Sequence, residues 1–171
     1  MPQRRTKIRA VSIIGAAAVA AAASAVTLSA SAATPIDPPA GSVKVGEWNV
    51  ATGIQTYTCA NGTFVGTNSV PEALLVDAAQ QSPLHHFAGP SWQSSVDGST
   101  ITATKTADVP KPGTIAELLL TVNGHSGPNG ILSPVKYIQR LNTSGGAAPT
   151  RACTTGDRES VRYSATYVLF K

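Results

Sequence analysis

The chain has 171 residues, of which 13 are Lys or Arg and 9 are Asp or Glu, so its formal net charge is +4. Four of the basic residues precede residue 10, and residues 33–171 carry equal numbers of basic and acidic side chains. This balance, together with the lack of any Lys/Arg run, excludes the electrostatic signature of nucleic-acid-binding proteins, so no nucleic acid is expected as a partner.

The first 32 residues have the pattern of a secretory signal peptide. A basic start is followed by an apolar stretch from Ala10 to Leu28 and by Ala30-Ser31-Ala32, the type of site that signal peptidase cleaves. An N-terminal membrane anchor is the alternative, because the apolar stretch approaches spanning length. Alanine is only weakly hydrophobic, so we predict cleavage, a secreted protein (extracellular or associated with the cell wall) and no stable membrane span. The general secretory route is favoured over twin-arginine export.

The chain contains two cysteines, Cys59 and Cys153. In an exported protein, two cysteines most simply form one disulfide. The alternatives are a metal-binding pair or a reactive thiol, but there is no Cys-x-x-Cys motif and no His close to either cysteine in the sequence. We therefore predict a Cys59–Cys153 disulfide that closes most of the domain.

Residues 33–41 contain three prolines and no apolar periodicity, which predicts a flexible leader after cleavage. Alternating or continuous apolar runs then predict strands at residues 42–50, 53–59, 63–65, 84–88, 100–104, 115–122, 135–141 and 161–170. Residues 71–79 are ambiguous, because their propensity favours a helix while the run from Ala73 to Val76 suits a buried strand; we slightly favour a strand. Residues 123–130 are expected to be irregular.

Many short strands separated by turn signals predict a mostly β fold. No internal repeat is visible, and the length after cleavage suits one domain with its own core. The predicted architecture is a single antiparallel β-sandwich or barrel domain that spans residues 42–171.

Six residues are candidates for a ligand-binding site, because unusual side chains near Gly/Pro-rich loops are where β folds place their sites. They are His86, Trp92, His125, Gln139, Arg140 and Asn142. Arg140 shares a predicted strand face with Ile138, and we expect that face to be solvated. If the face is buried instead, Arg140 becomes a good anion-binding group.

The sequence holds no strong catalytic or metal-binding motif, and neither a metal nor a cofactor is expected. His85 and His86 are adjacent, so on a strand they point to opposite faces and cannot ligate one ion together. The stretch GHSGP at residues 124–128 resembles the G-x-S-x-G turn of α/β-hydrolases, but Pro128-Asn129-Gly130 forbids the helix that must follow.

Four stretches, in order along the chain, together resemble one known family. They read GIQTYTC, HFAGPSWQSSVDGS, KYIQRLNTSGGAAPTRAC and YSATYVLF, and they extend from Gly53 to Phe170. They resemble the exported family catalogued as domain of unknown function 3455, found in bacteria and fungi. The candidate site residues that fall on positions of the family pattern are His86, Trp92, Gln139, Arg140 and Asn142. The resemblance implies a secreted, mostly β protein. It provides no catalytic residue to carry over to this chain. The chain departs from the family pattern with Leu84-His85 in place of Gly-Thr.

Three functions remain open at this stage. The favoured one is a binding module for a small molecule or a cell-envelope component. The second is a small secreted hydrolase or lyase that uses His86 or His125 as a general base. The third is a structural envelope protein without a site. The sequence does not decide whether the protein is an enzyme.

Overall fold

The computed structural model describes residues 34–66 and 69–171, so the predicted signal peptide at residues 1–32 lies outside the described residues. These ranges form nine strands and contain no helix long and apolar enough to cross a membrane. The strands are β1 (Lys44–Ala60), β2 (Thr63–Phe64), β3 (Val70–Val76), β4 (Leu84–Phe87), β5 (Ser91–Ser94), β6 (Thr100–Val109), β7 (Glu117–Ser126), β8 (Tyr137–Gly145) and β9 (Arg158–Phe170).

Eight of the strands close into an antiparallel barrel. From β3 to β9 each strand pairs with the next along the chain, and β1 pairs with both β3 and β9. β2 is a short hairpin partner of the end of β1 and lies outside this ring. Closure leaves the eight strands without an open edge. The predicted mostly β, antiparallel fold is confirmed, and the barrel is the correct one of its two alternatives.

β1 is a single strand of 17 residues, although the sequence predicted two separate strands in this region. Its pairing shifts register between Val50 and Thr52 on the β3 side and between Asn49 and Ile54 on the β9 side. Such bulges bend a strand and let it serve two neighbours of a barrel. A Cβ atom on Gly53 would lie 2.7 Å from Val50 Cγ1, so the bend requires glycine there.

Residues 71–79, for which the sequence left helix and strand open, form a strand as far as Val76 (β3). Its side chains alternate between buried and exposed, because burial on one face outweighs the local helix propensity. Two further predictions were wrong. β7 continues to Ser126 through a bulge near Gly124, and β5 follows Gly89-Pro90 where no strand was predicted.

One end of the barrel, which we call the plugged end, is filled by the β7–β8 connection at residues 127–136. Leu132 and Val135 of this loop are completely buried in the main core, together with Ile138 and Leu169. Asp97, in the β5–β6 turn, holds the loop in place by accepting the Ile131 N–H at 2.9 Å. The loop therefore acts as a fixed core element.

The disulfide joins Cys59 at the end of β1 to Cys153, which precedes β9, with a Cα–Cα distance of 6.1 Å. The predicted pairing is confirmed. Cys59 packs with Tyr57 and Phe64 in a second, smaller core, separate from the main one. Residues 34–41, interpreted from the sequence as a leader, include Ile36, which is 4% exposed.

Candidate functional site

At the end opposite the plug, which we call the open end, the barrel contains a cavity of about 150 Å³. This mouth cavity lies where β3, β5 and β7 begin and where β4 ends. Its lining residues are Gln55, Ser69, Pro71, His86, Gly89, Pro90, Trp92, Leu118, Leu120, Arg140 and Tyr167. Gly89 and Pro90 are exposed, so the cavity borders solvent at the β4–β5 turn.

His86 and Trp92 form one wall of the mouth cavity. They are direct partners across the β4–β5 hairpin, so their side chains lie on the same face, and their rings stack at 4.3 Å between centroids. The Tyr167 ring lies edge-on to Trp92, at 6.0 Å. His85 points to the outer side and contacts Glu72, as the alternation of a strand requires.

His86 is neutral at ordinary pH. Burial lowers its pKa to about 4, although the hydrogen bond to the backbone of Ser91 opposes this shift. Nδ1 lies 2.9 Å from the Ser91 carbonyl oxygen, and because a carbonyl can only accept, Nδ1 carries the proton. The other ring nitrogen, Nε2, is then an unprotonated acceptor.

Arg140 faces the same cavity. On β8 it lies in register with Leu118 of β7 and Tyr167 of β9, both of which line the cavity. Nε and Nη2 donate to the Ala116 carbonyl oxygen at 3.1 and 2.8 Å. The sequence favoured a solvated face for Arg140. In the structure, Ile138 on the same strand face is buried in the core, and Arg140 lines the cavity at the open end.

The guanidinium of Arg140 has no ionic partner among the described residues. Within residues 34–66 and 69–171, no carboxylate lies within 4.0 Å of it. The nearest carboxylate by register, Glu117, contacts Lys111 Nζ at 3.1 Å and accepts the Asn142 N–H. Arg140 therefore brings a positive charge to the mouth cavity that the described residues do not neutralise.

Two polar atoms of residues in the cavity wall are buried without a partner in the described part of the chain. They are the Oε1 acceptor of Gln55, whose residue is 4% exposed, and the Nε1 donor of Trp92, whose residue is 1% exposed. Buried polar atoms are nearly always hydrogen-bonded, and each unpaired one costs about 1–3 kcal/mol. A further unpaired atom, Thr143 Oγ1, lies outside the cavity lining.

The cavity brings together three of the six candidate residues, His86, Trp92 and Arg140. His125 is exposed near the plugged end, where Nε2 donates to the Val135 carbonyl at 2.9 Å. It lies five residues beyond Leu120 on the same strand, which is about 16 Å. The structure therefore does not bring His125 to the mouth cavity that His86 lines.

Gln139 and Asn142 are not part of the cavity either. Gln139 is adjacent to Arg140 on β8 and therefore points to the opposite side of the sheet, where its amide donates to the Ile36 carbonyl at 2.7 Å. Asn142 is exposed at a bulge, with a φ of 52°, and its Nδ2 lies 3.4 Å from Thr166 Oγ1. Both side chains support the outer surface of the barrel.

Sequence reasoning missed Gln55 and Tyr167, and strand alternation was the signal that could have found them. Gln55 shares the inner face of β1 with Tyr57 and Cys59, both of which are buried. Tyr167 shares the inner face of β9 with Tyr163 and Leu169.

The site offers hydrogen-bonding groups and one fixed charge. Among residues 34–66 and 69–171, no three His, Cys, Asp or Glu side chains lie close enough together to hold a metal ion. Burial raises the pKa of Tyr167, with the Arg140 charge acting in the opposite direction, so the phenol stays protonated. The arrangement is suited to binding a ligand through donors and acceptors.

The family described as "Protein of unknown function (DUF3455)" matches residues 39–171. No curated protein and no solved structure matches the chain.

Proposed function

The chain belongs to the DUF3455 family of proteins of unknown function, and we propose that it is a secreted binding protein that holds a small molecule in its mouth cavity. The observation that carries the proposal is the pair of buried, unpartnered polar atoms in the cavity wall, Gln55 Oε1 and Trp92 Nε1. A ligand that hydrogen-bonds to both recovers a cost of about 1–3 kcal/mol for each atom.

The surroundings of these atoms support a preformed site. Pro71, Trp92 and Leu120 are buried and belong to paired strands, which hold this part of the wall in place. Barrel mouths with apolar walls and a few convergent polar groups are common ligand sites. The volume of about 150 Å³ suits a small molecule rather than a polymer or a peptide.

Binding is favoured over catalysis by a His general base. A pKa of about 4 makes His86 a weak base at neutral pH, whereas an efficient general base has a pKa near the working pH. His125, the other candidate base, contacts the backbone of Val135 about 16 Å along the strand from the cavity.

The proposal is tested by closing the cavity. Leu118, which is partly exposed at the open end, is replaced by Trp, and Leu74, which is 42% exposed on the outer surface, receives the same substitution as a control. A small-molecule library is screened against both variants and the wild type by ligand-observed NMR.

We expect ligands that bind to the wild type and to Leu74→Trp but not to Leu118→Trp. A library in which no compound distinguishes the two variants would reject a ligand site in the mouth cavity and would leave a structural envelope role as the better explanation.

A further inference from the structure

This inference rests on the proposed function and concerns which ligand fits. The only charged side chain among the described residues that line the mouth cavity is Arg140, because His86 is neutral. Its contacts with Ala116 occupy Nε and one N–H of Nη2, and no carboxylate among the described residues neutralises its charge. A guanidinium held in this way is a preorganised donor to a carboxylate, which it binds through charge-assisted hydrogen bonds.

The positions of the polar groups differ in depth. Arg140 is partly exposed, whereas Gln55, His86 and Trp92 are between 1% and 4% exposed. A negative group on Arg140 therefore lies near solvent, which limits its desolvation cost. The three other side chains require neutral partners, because an additional buried charge would remain unpaired.

The deep groups require both a donor and an acceptor from the ligand. Gln55 Oε1 and His86 Nε2 can only accept, and Trp92 Nε1 can only donate. A hydroxyl group is the smallest neutral group that donates one hydrogen bond and accepts another. A hydroxyl placed between them pairs with Trp92 Nε1 and with one of the two acceptors at the same time.

Apart from these polar groups, much of the wall is apolar. It is formed by Pro71, Leu118 and Leu120, together with the aromatic rings of Trp92 and Tyr167. A dry cavity of about 150 Å³ in a protein core holds one benzene molecule, so the mouth cavity has room for one six-membered ring.

We propose that the ligand is a small hydroxyl-bearing carboxylic acid built on one ring, with its carboxylate on Arg140 and its hydroxyl on Trp92 Nε1 and Gln55 Oε1. The ring fills the apolar middle of the cavity. Para-hydroxybenzoate has this chemistry and serves as the probe; its neutral isostere para-hydroxybenzamide and the hydroxyl-free benzoate serve as matched comparisons.

The experiment is isothermal titration of the three compounds into the purified wild-type protein at neutral pH. We expect para-hydroxybenzoate to bind at least about ten-fold more tightly than the amide, since a hydrogen bond to a charged group contributes at least that factor. Benzoate should bind at least about five-fold more weakly than para-hydroxybenzoate because the deep polar atoms remain unpaired.

Two variants assign the effect to the named side chains. In Arg140→Gln the preference for the carboxylate over the amide should disappear while the affinity for the amide is kept. In Trp92→Phe the difference between para-hydroxybenzoate and benzoate should shrink. Near-UV circular dichroism verifies the fold of each variant, and the comparison of compounds on the wild type does not depend on either substitution.

The failures of the two proposals are distinguishable. If the wild type binds para-hydroxybenzoate and para-hydroxybenzamide with equal affinity, the proposal that the ligand is an anion is overturned. If it binds para-hydroxybenzoate and benzoate with equal affinity, the proposed hydroxyl contact is overturned. Absence of binding by all three compounds overturns this ligand class. The proposed function fails only if the library screen also finds no compound that distinguishes Leu118→Trp from Leu74→Trp.

Discussion

Acidification should destabilise the fold through His86. Its ring is 2% exposed, donates Nδ1–H to Ser91, and has a pKa that burial lowers to about 4. In the unfolded chain the pKa of a His is about 6.5. Between these two values the unfolded state binds a proton that the folded state excludes, so the free energy of unfolding falls as pH decreases below about 6.5.

The size of the effect follows from the two pKa values. Each pH unit between them is worth about 1.4 kcal/mol, so the free energy of unfolding decreases by about 2 kcal/mol at pH 5 and by about 3 kcal/mol once the pH reaches the folded-state value. This is a large part of the stability of an ordinary domain.

The assay is urea unfolding between about pH 7.5 and pH 5 for the wild type, His86→Phe and Ile138→Val. Phe keeps a ring against Trp92 but cannot titrate, so His86→Phe should lose about 2 kcal/mol less than the wild type over this range. Ile138→Val opens a small cavity in the core, costs about 1 kcal/mol at every pH, and should keep the pH slope of the wild type. Equal slopes for the wild type and His86→Phe would refute the reasoning.

Three further perturbations test the scaffold. Replacing both Cys59 and Cys153 by Ser should lower the free energy of unfolding by about 4–5 kcal/mol in the chain-entropy account, because the bond spans 94 residues; urea titration measures this. Asp97→Asn should cost about 1–2 kcal/mol by weakening charge-assisted bonds at the plugged end, measured by thermal unfolding, without changing ligand affinity. Gly146→Ala should cost at least about 2 kcal/mol in urea, because its φ is 73° and a Cβ would lie 2.7 Å from Tyr163 Cβ.

Each of these has a control or a contradicting outcome. Gly62→Ala shares the positive φ but meets no atom within 4 Å, so it should cost only about 1 kcal/mol; an equal cost at both glycines would contradict the steric account. Reduction of the wild type should reproduce the stability of the double Ser variant. A loss of ligand affinity in Asp97→Asn would contradict the separation of the two barrel ends.

The sequence was most informative where alternation was regular. The final strand was predicted at residues 161–170 and extends from Arg158 to Phe170. Prediction failed at β5, where Gly89-Pro90 precedes only four strand residues, and at Gly124, where the sequence indicated an end and the structure has a bulge. In both places the neighbouring strands hold the segment in register, and this pairing leaves little signal in the residues of the segment itself.

The candidate site was predicted in part, for a related reason. His86, Trp92 and Arg140 were chosen as unusual side chains, and they do line one cavity. Gln139 was chosen with Arg140, although neighbours on a strand face opposite sides, so at most one of them could point inward. Deciding which one required knowing that Ile138 lies in the core.

The sequence by itself determined the mostly β antiparallel fold and the disulfide, because both follow from local alternation and from a count of two cysteines. Only the tertiary structure decided which faces point inward and which residues meet. Closure of β1 against β9 is a contact between distant parts of the chain, and it brings Gln55 and Tyr167 into one wall with Arg140. A cavity is a property of strands that pack around a shared space, so no single stretch of sequence encodes it.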